Sequence, residues 1–271
     1  MHLNLVKRWK DLQENPFWVM DSRKRERQGL WKGKLRSRLM QGSFVLVPLI
    51  LGAFSENADD RFATAMLAVA LAHLQILFLA CRATASTASS VVNERQRGTL
   101  VSIALSKLNS ADYADGVALS AASRLLTDFT VWLPVTLILS IALGGGPLPA
   151  LGFWLVGVLV ILLGCYSGIQ ISATSKTSQA ANQKALSKPL FSICGLALVF
   201  PLGGFIALPL WLAHPFGALN LAIFGFASPV GGVEHWIFWK GWVAVFGVIY
   251  GFSIADARRR AITALERARL L

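Results

Sequence analysis

Negative charge is scarce in this chain. Only 14 Asp and Glu stand against 26 Lys and Arg, and charged side chains of both signs make up just 15% of its 271 residues. With 55% hydrophobic residues and a mean hydropathy of +0.56, there is too little polar surface to enclose a soluble globular domain of this size. Cysteine is scarce as well. Cys81, Cys165 and Cys194 are an odd number and each falls within or at the edge of an apolar run, which argues against a disulfide framework and a metal site. They read as small core or lipid-facing residues.

A phosphate-binding loop is missing. Such a loop needs Gly-x-x-x-x-Gly-Lys-Ser/Thr so that backbone N–H groups and the lysine cradle phosphates. The nearest stretch, Gly29 to Gly33-Lys34, has one residue too few between its glycines and Leu35 where a hydroxyl is required. Gly144-Gly145-Gly146 runs into Pro147 and reads as a turn. The chain is therefore expected to bind no ATP itself. Paired aspartates that could hold Mg²⁺ occur in Asp112-Tyr113-Ala114-Asp115-Gly116, which resembles the opening of the CDP-alcohol phosphotransferase signature. The positions where that signature carries its Ala-Arg and further aspartates hold Leu119-Ser120, Phe129, Leu133 and Leu137. A membrane-embedded enzyme is disfavoured on that ground, and Asp112 and Asp115 read as helix-start residues favoured by the dipole. His214 and His235 have no partner at metal-ligand spacing.

What the chain does have is long apolar runs. Six are expected to cross a membrane as helices, at 39–55, 62–81, 117–143, 150–172, 190–212 and 236–255. The first is short and carries Pro48. A seventh apolar piece, Pro215 to Phe226, is too short to span and lies between Pro215 and Pro229, which predicts a re-entrant or interfacial hairpin before the last span. The fold class expected is all-α integral membrane, a single transmembrane domain over 1–271. Lys and Arg decide orientation. Of the 26, 24 fall in residues 1–43, 82–128, 173–190 and 256–271, and only Arg61 and Lys240 lie on the opposite side. The excess marks the cytoplasm, so both termini are expected inside a multi-pass protein of the plasma (inner) membrane.

Residues 1–40 carry no apolar core of the signal-peptide kind. Leu5, Trp9 and Leu12 share a helical face before Asn15-Pro16. Beyond it Phe17, Met20, Trp31, Leu35 and Leu39 can line one face, broken by the polar stretch Asp21 to Gln28. A basic segment of this kind predicts an interfacial helix lying on anionic lipid, and basic residues abutting a span need no nucleic acid to explain them. Inside the second span, His73 and Gln75 are polar candidates for lining a path, against the plainer role of bonding a neighbouring helix. Asp128 and Asp256 read as lying near span ends. No carboxylate is expected mid-span, which counts against an ion-coupled secondary transporter.

Between the second and third spans lies Asn93-Glu94-Arg95-Gln96-Arg97-Gly98-Thr99-Leu100. Leu100, Ile103, Ala104 and Leu108 recur at helical spacing behind it, and Ser110 with Asp112 predicts the cap and first turn of the next helix. Periodicity alone leaves two readings open, a plain solvated loop or a short helix presenting an apolar face to a partner.

Glu94-Arg95-Gln96-Arg97-Gly98-Thr99-Leu100, the apolar run after it and Leu108-Asn109-Ser110 resemble the first cytoplasmic loop of ABC transporter permeases of the type-2 exporter class. That loop typically reads Glu-Arg-Glu-x-Gly-Thr-Leu, several leucines, Leu-Ser and Gly-Lys; here Asp115-Gly116 stands in place of Gly-Lys. Asn15-Pro16-Phe17, the turn Ser172 to Ala181, the hairpin before the last span, and Tyr250-Gly251-Phe252 running into Arg258-Arg259-Arg260 resemble other parts of that family. The resemblance implies a permease subunit that is not itself catalytic, paired with a second copy or a paralogue in the lipid bilayer. It implies two soluble ABC ATPase subunits, which would bring the ATP and Mg. The loop 91–116 would be the coupling element: Glu94, Arg95 and Arg97 would bond the ATPase, Gly98 and Thr99 would form the bend, and Leu100 and Ile103 would fill an apolar groove.

Overall fold

Asn57 starts the first long helix. Its side chain accepts the Asp59 N–H at 3.1 Å, and Asp59 and Asp60 occupy the first turn, where the dipole favours carboxylates. In the computed structural model, which describes Val19 and residues 52–99, 109–143, 147–190 and 233–269, this is α1 (Ala58–Ala88). It is followed by α2 (Ser90–Gln96), α3 (Ser110–Thr130), α4 (Leu133–Ala142), α5 (Leu148–Thr174), α6 (residues 178–190) and α7 (Val233–Arg269). These elements are all helices, and the described residues contain no strand.

Among the described residues, two segments are long and apolar enough to cross a membrane, Ala63–Gln96 and Leu148–Thr174, and α3 with α4 makes a third if that bent pair is one span. The expected first and fifth spans, the hairpin at 215–226 and the interfacial residues Phe17, Met20, Trp31 and Leu35 lie outside the described residues. Three boundaries differ from the sequence reading. Residues 82–96, assigned to a loop, continue the second span as helix with one break at Ser89. The helix at the expected third span begins at Ser110, and the chain bends by 42° between α3 and α4 at residues 131–132. Pro134, which has no N–H to return to the Thr130 carbonyl, accounts for that break. The last helix runs past Arg258–Arg260 to Arg269, about 55 Å at 1.5 Å per residue, well beyond a hydrocarbon core of about 30 Å.

The hub is α5. Within its most apolar window 56% is buried inside the chain, against 24% for Ala63–Gln96. Helices α1, α3, α4 and α7 all pack on it. Val156, Ile161, Cys165 and Ile169 are fully buried there, and Tyr250, Ala257, Ala261 and Leu265 bring α7 into the same core. Small residues set the α1–α5 approach. A Cβ on Gly164 would stand 2.7 Å from the Ala83 Cβ, and one on Gly168 would overlap the Thr84 carbonyl and the Thr87 hydroxyl. The four-residue spacing of Gly164 and Gly168 is the small-xxx-small pattern that lets helices approach closely without a hydrophobic drive from lipid. The Thr87 hydroxyl uses that closeness to donate to the Cys165 carbonyl at 2.7 Å.

Gly168→Ala forces a methyl into backbone and is expected to destabilise the α1–α5 contact by about 1–3 kcal/mol. Gly247→Ala, where an added Cβ meets no atom within 4 Å, serves as the control. Thermal unfolding in detergent should show a lowered midpoint for the first variant and an unchanged one for the second.

Candidate functional site

A seven-residue helix such as α2 leaves most of its first-turn N–H groups without an internal acceptor. Ser89, at its cap position, makes no side-chain cap bond. The acceptor comes from another helix. The fully buried Ser172 hydroxyl, near the end of α5, takes the Val91 N–H at 2.9 Å and the Val92 N–H at 3.1 Å. Two further contacts fix α2 to the turn between α5 and α6. Arg95 donates to the Ala173 carbonyl at 2.9 Å and the Ser175 carbonyl at 3.2 Å, satisfying the C-terminal carbonyls of α5 with a cation where the dipole favours one. The Ser178 hydroxyl donates to Asn93 Oδ1 at 2.7 Å and lies 3.1 Å from Gln96 Oε1.

Arg95 is thus engaged within the fold, where the sequence reading gave it to a partner. Arg97, Gly98 and Thr99 are exposed and Glu94 is half-buried. The Thr99 hydroxyl bonds back to the Glu94 carbonyl at 3.2 Å and to its carboxylate. Gly98 has φ of 73°, the only positive value found among the described residues, and the Gly98 N–H bonds the Arg95 carbonyl at 3.1 Å. This is the left-handed glycine that ends a helix. An added Cβ there would meet nothing within 4 Å, so the constraint on this residue is its backbone angle and not a close neighbour. Leu100 and Ile103 lie outside the described residues.

The next helix is capped one residue earlier than Ser110. Asn109 is extended and its side chain accepts the Ala111 N–H at 3.4 Å, which leaves Ser110 as the first helical residue. Asp112 sits in the first turn as expected. Asp115 does not owe its place to the dipole alone. It receives Arg258 through two parallel bonds of 2.7 Å, Nε to Oδ1 and Nη2 to Oδ2, and the Tyr166 hydroxyl donates to Oδ1 at 2.9 Å. Helices α3, α5 and α7 meet at this one carboxylate. The bonds to Asp115 push the Arg258 pKa further up, keeping the guanidinium charged. With 40% of the Arg258 side chain exposed, the pair contributes on the order of 1 kcal/mol, so its importance is geometric. Close by, burial and then the Arg260 charge push the Lys188 amine below its ordinary range, as α6 approaches α7.

The two polar residues of the second span separate. His73 shares a helical stripe with Ile76, Ala80, Ala83 and Thr87, the side that packs on α5. Gln75 falls on a different stripe with Leu79, Arg82 and Ser86. Arg82 there pairs with Asp128 of α3 at 2.6 Å. Sequence reasoning missed Ser172, the Asp115–Arg258 pair and the Arg82–Asp128 pair. For the Arg82–Asp128 pair the available signal was a charge inside an apolar helix with no local reason to be there; Asp115 and Ser172 carried no such signal.

No protein-family model matches this chain, and no curated protein matches it either.

Ser172→Ala removes the acceptor shared by two buried N–H groups and is expected to cost α2 about 1–3 kcal/mol of local stability. Amide hydrogen exchange at Val91 and Val92 should accelerate, with the middle of α5 unchanged.

Proposed function

We propose that this chain is the permease subunit of an ATP-driven ABC transporter, forming the translocation path of an exporter. In this reading it has six spans with both termini cytoplasmic, on the strength of a division of Lys and Arg that remains 22 to 2 when Arg82 and Arg124, which lie within α1 and α3, are set aside. The N-terminal segment rests on lipid at the bilayer surface. A second copy or a paralogue completes the path, and two soluble ATPase subunits bind the cytoplasmic face and hold the ATP and Mg. The chain itself catalyses nothing.

The observation that carries the reading is the docking of α2 on the end of α5 through Ser172. Displacement of an exposed loop does useful work only if the loop is rigidly tied to the spans. Here the tie runs from Arg97–Thr99 through α2 into the most buried helix of the bundle, and from there through Tyr166 and Asp115 to α3 and α7. Nucleotide-driven closure of the ATPases would bias a bundle with two arrangements, one favoured with ATP bound. Glu94 and Arg97 supply charge at the loop surface, and Leu100 and Ile103 supply the apolar contact.

One observation favours a second reading, an ion-coupled secondary transporter. Asp128 reads as a span-end residue in the sequence, but if α3 and α4 together make one span it falls near that span's middle, paired with Arg82. That reading requires transport driven by an ion gradient with no ATPase present.

Glu94→Ala and Gly98→Leu are expected to abolish partner-stimulated ATP hydrolysis in proteoliposomes while leaving insertion intact, the second because a leucine at φ of 73° is strained. Leu100→Asp puts a charge into the apolar contact at about 3 kcal/mol, roughly a hundredfold loss of partner affinity in pull-down. Wild-type binding and coupling in all three variants would mean the stretch is a plain solvated loop.

A further inference from the structure

We infer that Arg82 and Asp128 form an oxyanion station in a hydrated path between α1 and α3, where a carboxylate or phosphate group on the cargo displaces Asp128 from the Arg82 guanidinium. The inference rests on the transporter reading and adds a location and a cargo chemistry to it.

Height comes first. Phe129, next to Asp128, packs on Gly157 and on Phe153, with ring centroids 5.4 Å apart. Ala83 and Thr84, next to Arg82, pack on Gly164. At 1.5 Å per residue, Gly157 and Gly164 stand about 14 Å and about 24 Å along a helix of about 40 Å. The ion pair therefore sits at the middle of α5. Arg82 belongs to a segment long and apolar enough to cross a membrane, and Asp128 belongs to another when the bent pair of α3 and α4 is taken as one span.

Exposure comes second. The Arg82 and Asp128 side chains remain 39% and 28% exposed. Charges at that depth facing hydrocarbon cost several kcal/mol, so this face is expected to meet water. The surroundings fit a wet stripe. Gln75, Arg82 and Ser86 share one side of α1 over about 16 Å, interrupted by the buried Leu79 between Gln75 and Arg82, and on α3 the exposed Arg124 stands one turn from Asp128. The break at residues 131–132 lies directly beyond Asp128. Irregular backbone at membrane depth is tolerated where it is buried in protein or lines a cavity.

Charge comes third. Asp128 has one guanidinium across the helix interface and another one turn away on its own helix. A guanidinium presents a planar fork that matches a carboxylate or a phosphate in two bonds. Asp128 thus holds in the resting chain the place an oxyanion of the cargo would take.

The test uses the full chain in membranes with Cys81, Cys165 and Cys194 replaced and a single cysteine introduced by Gln75→Cys, Ser86→Cys or, as the lipid-facing control, Leu74→Cys. The probes are the anionic sulfonatoethyl and the cationic trimethylammonioethyl methanethiosulfonates, each normalised to its rate with a free thiol. The expected result is labelling at 75 and 86 far above 74, with the anionic reagent faster by about tenfold. Arg82→Gln should abolish that preference and Asp128→Asn should widen it. Labelling at 75 and 86 no faster than at 74, or a preference indifferent to Arg82→Gln, would overturn the station. Because the assay needs neither ATPase nor cargo, loss of ATPase docking with labelling intact would overturn the permease reading alone.

Discussion

Two N–H groups at the start of a short helix need an acceptor, and one hydroxyl on another helix supplies it. Much else at the charged end of the bundle depends on that arrangement. Without Ser172, α2 would be a seven-residue helix with no cap of its own, too short to persist by propensity. With it, Arg95 is in register to cover the last carbonyls of α5 and Asn93 meets Ser178. The loop surface at Arg97–Thr99 then becomes an extension of the central helix. Gly164 and Gly168 are the precondition, since they bring α1 close enough to α5 for its continuation to reach Ser172 at all.

The ion pairs follow a similar logic. Asp115–Arg258 and Arg82–Asp128 each join helices distant in sequence, and each is partly exposed, so neither is a large stabiliser. Their value lies in specifying which helix faces sit together. Lipid offers apolar helices little reason to choose one face over another, and polar contacts supply the choice. The pair near the ends of α3 and α7 locks geometry at the charged end. The pair at the middle of α5 lies where only water or protein could tolerate it.

Periodicity and hydropathy made a good part of this legible. The helical class, the apolar stretches around α1 and α5, the helix start near Asn109–Ser110 and the bend at Gly98 all follow from local chemistry that a window of residues contains. What was not legible is long-range. Asp115 has a sufficient local explanation at a helix start, and its actual partner is 143 residues away. Ser172 looks like one small polar residue among several, and its role appears only when Val91, 81 residues earlier, is brought beside it. Asp128 takes a different place when α3 and α4 are read as one span. The sequence reading began that span at 117, but α3 is helical from Ser110, so a span made of α3 and α4 would have Asp128 near its middle.

The central claim is that α2 and the α5–α6 turn move as one body. Asn93→Cys with Ser178→Cys, in a chain whose own cysteines are replaced, places two thiols where Oγ and Oδ1 now stand 2.7 Å apart. A short bifunctional thiol reagent should join them quantitatively and, on the permease reading, leave partner-stimulated ATP hydrolysis at the level of the uncross-linked protein. Hydrolysis abolished by the cross-link and restored by its cleavage would contradict the account, because it would mean that turnover requires the loop and the central helix to part.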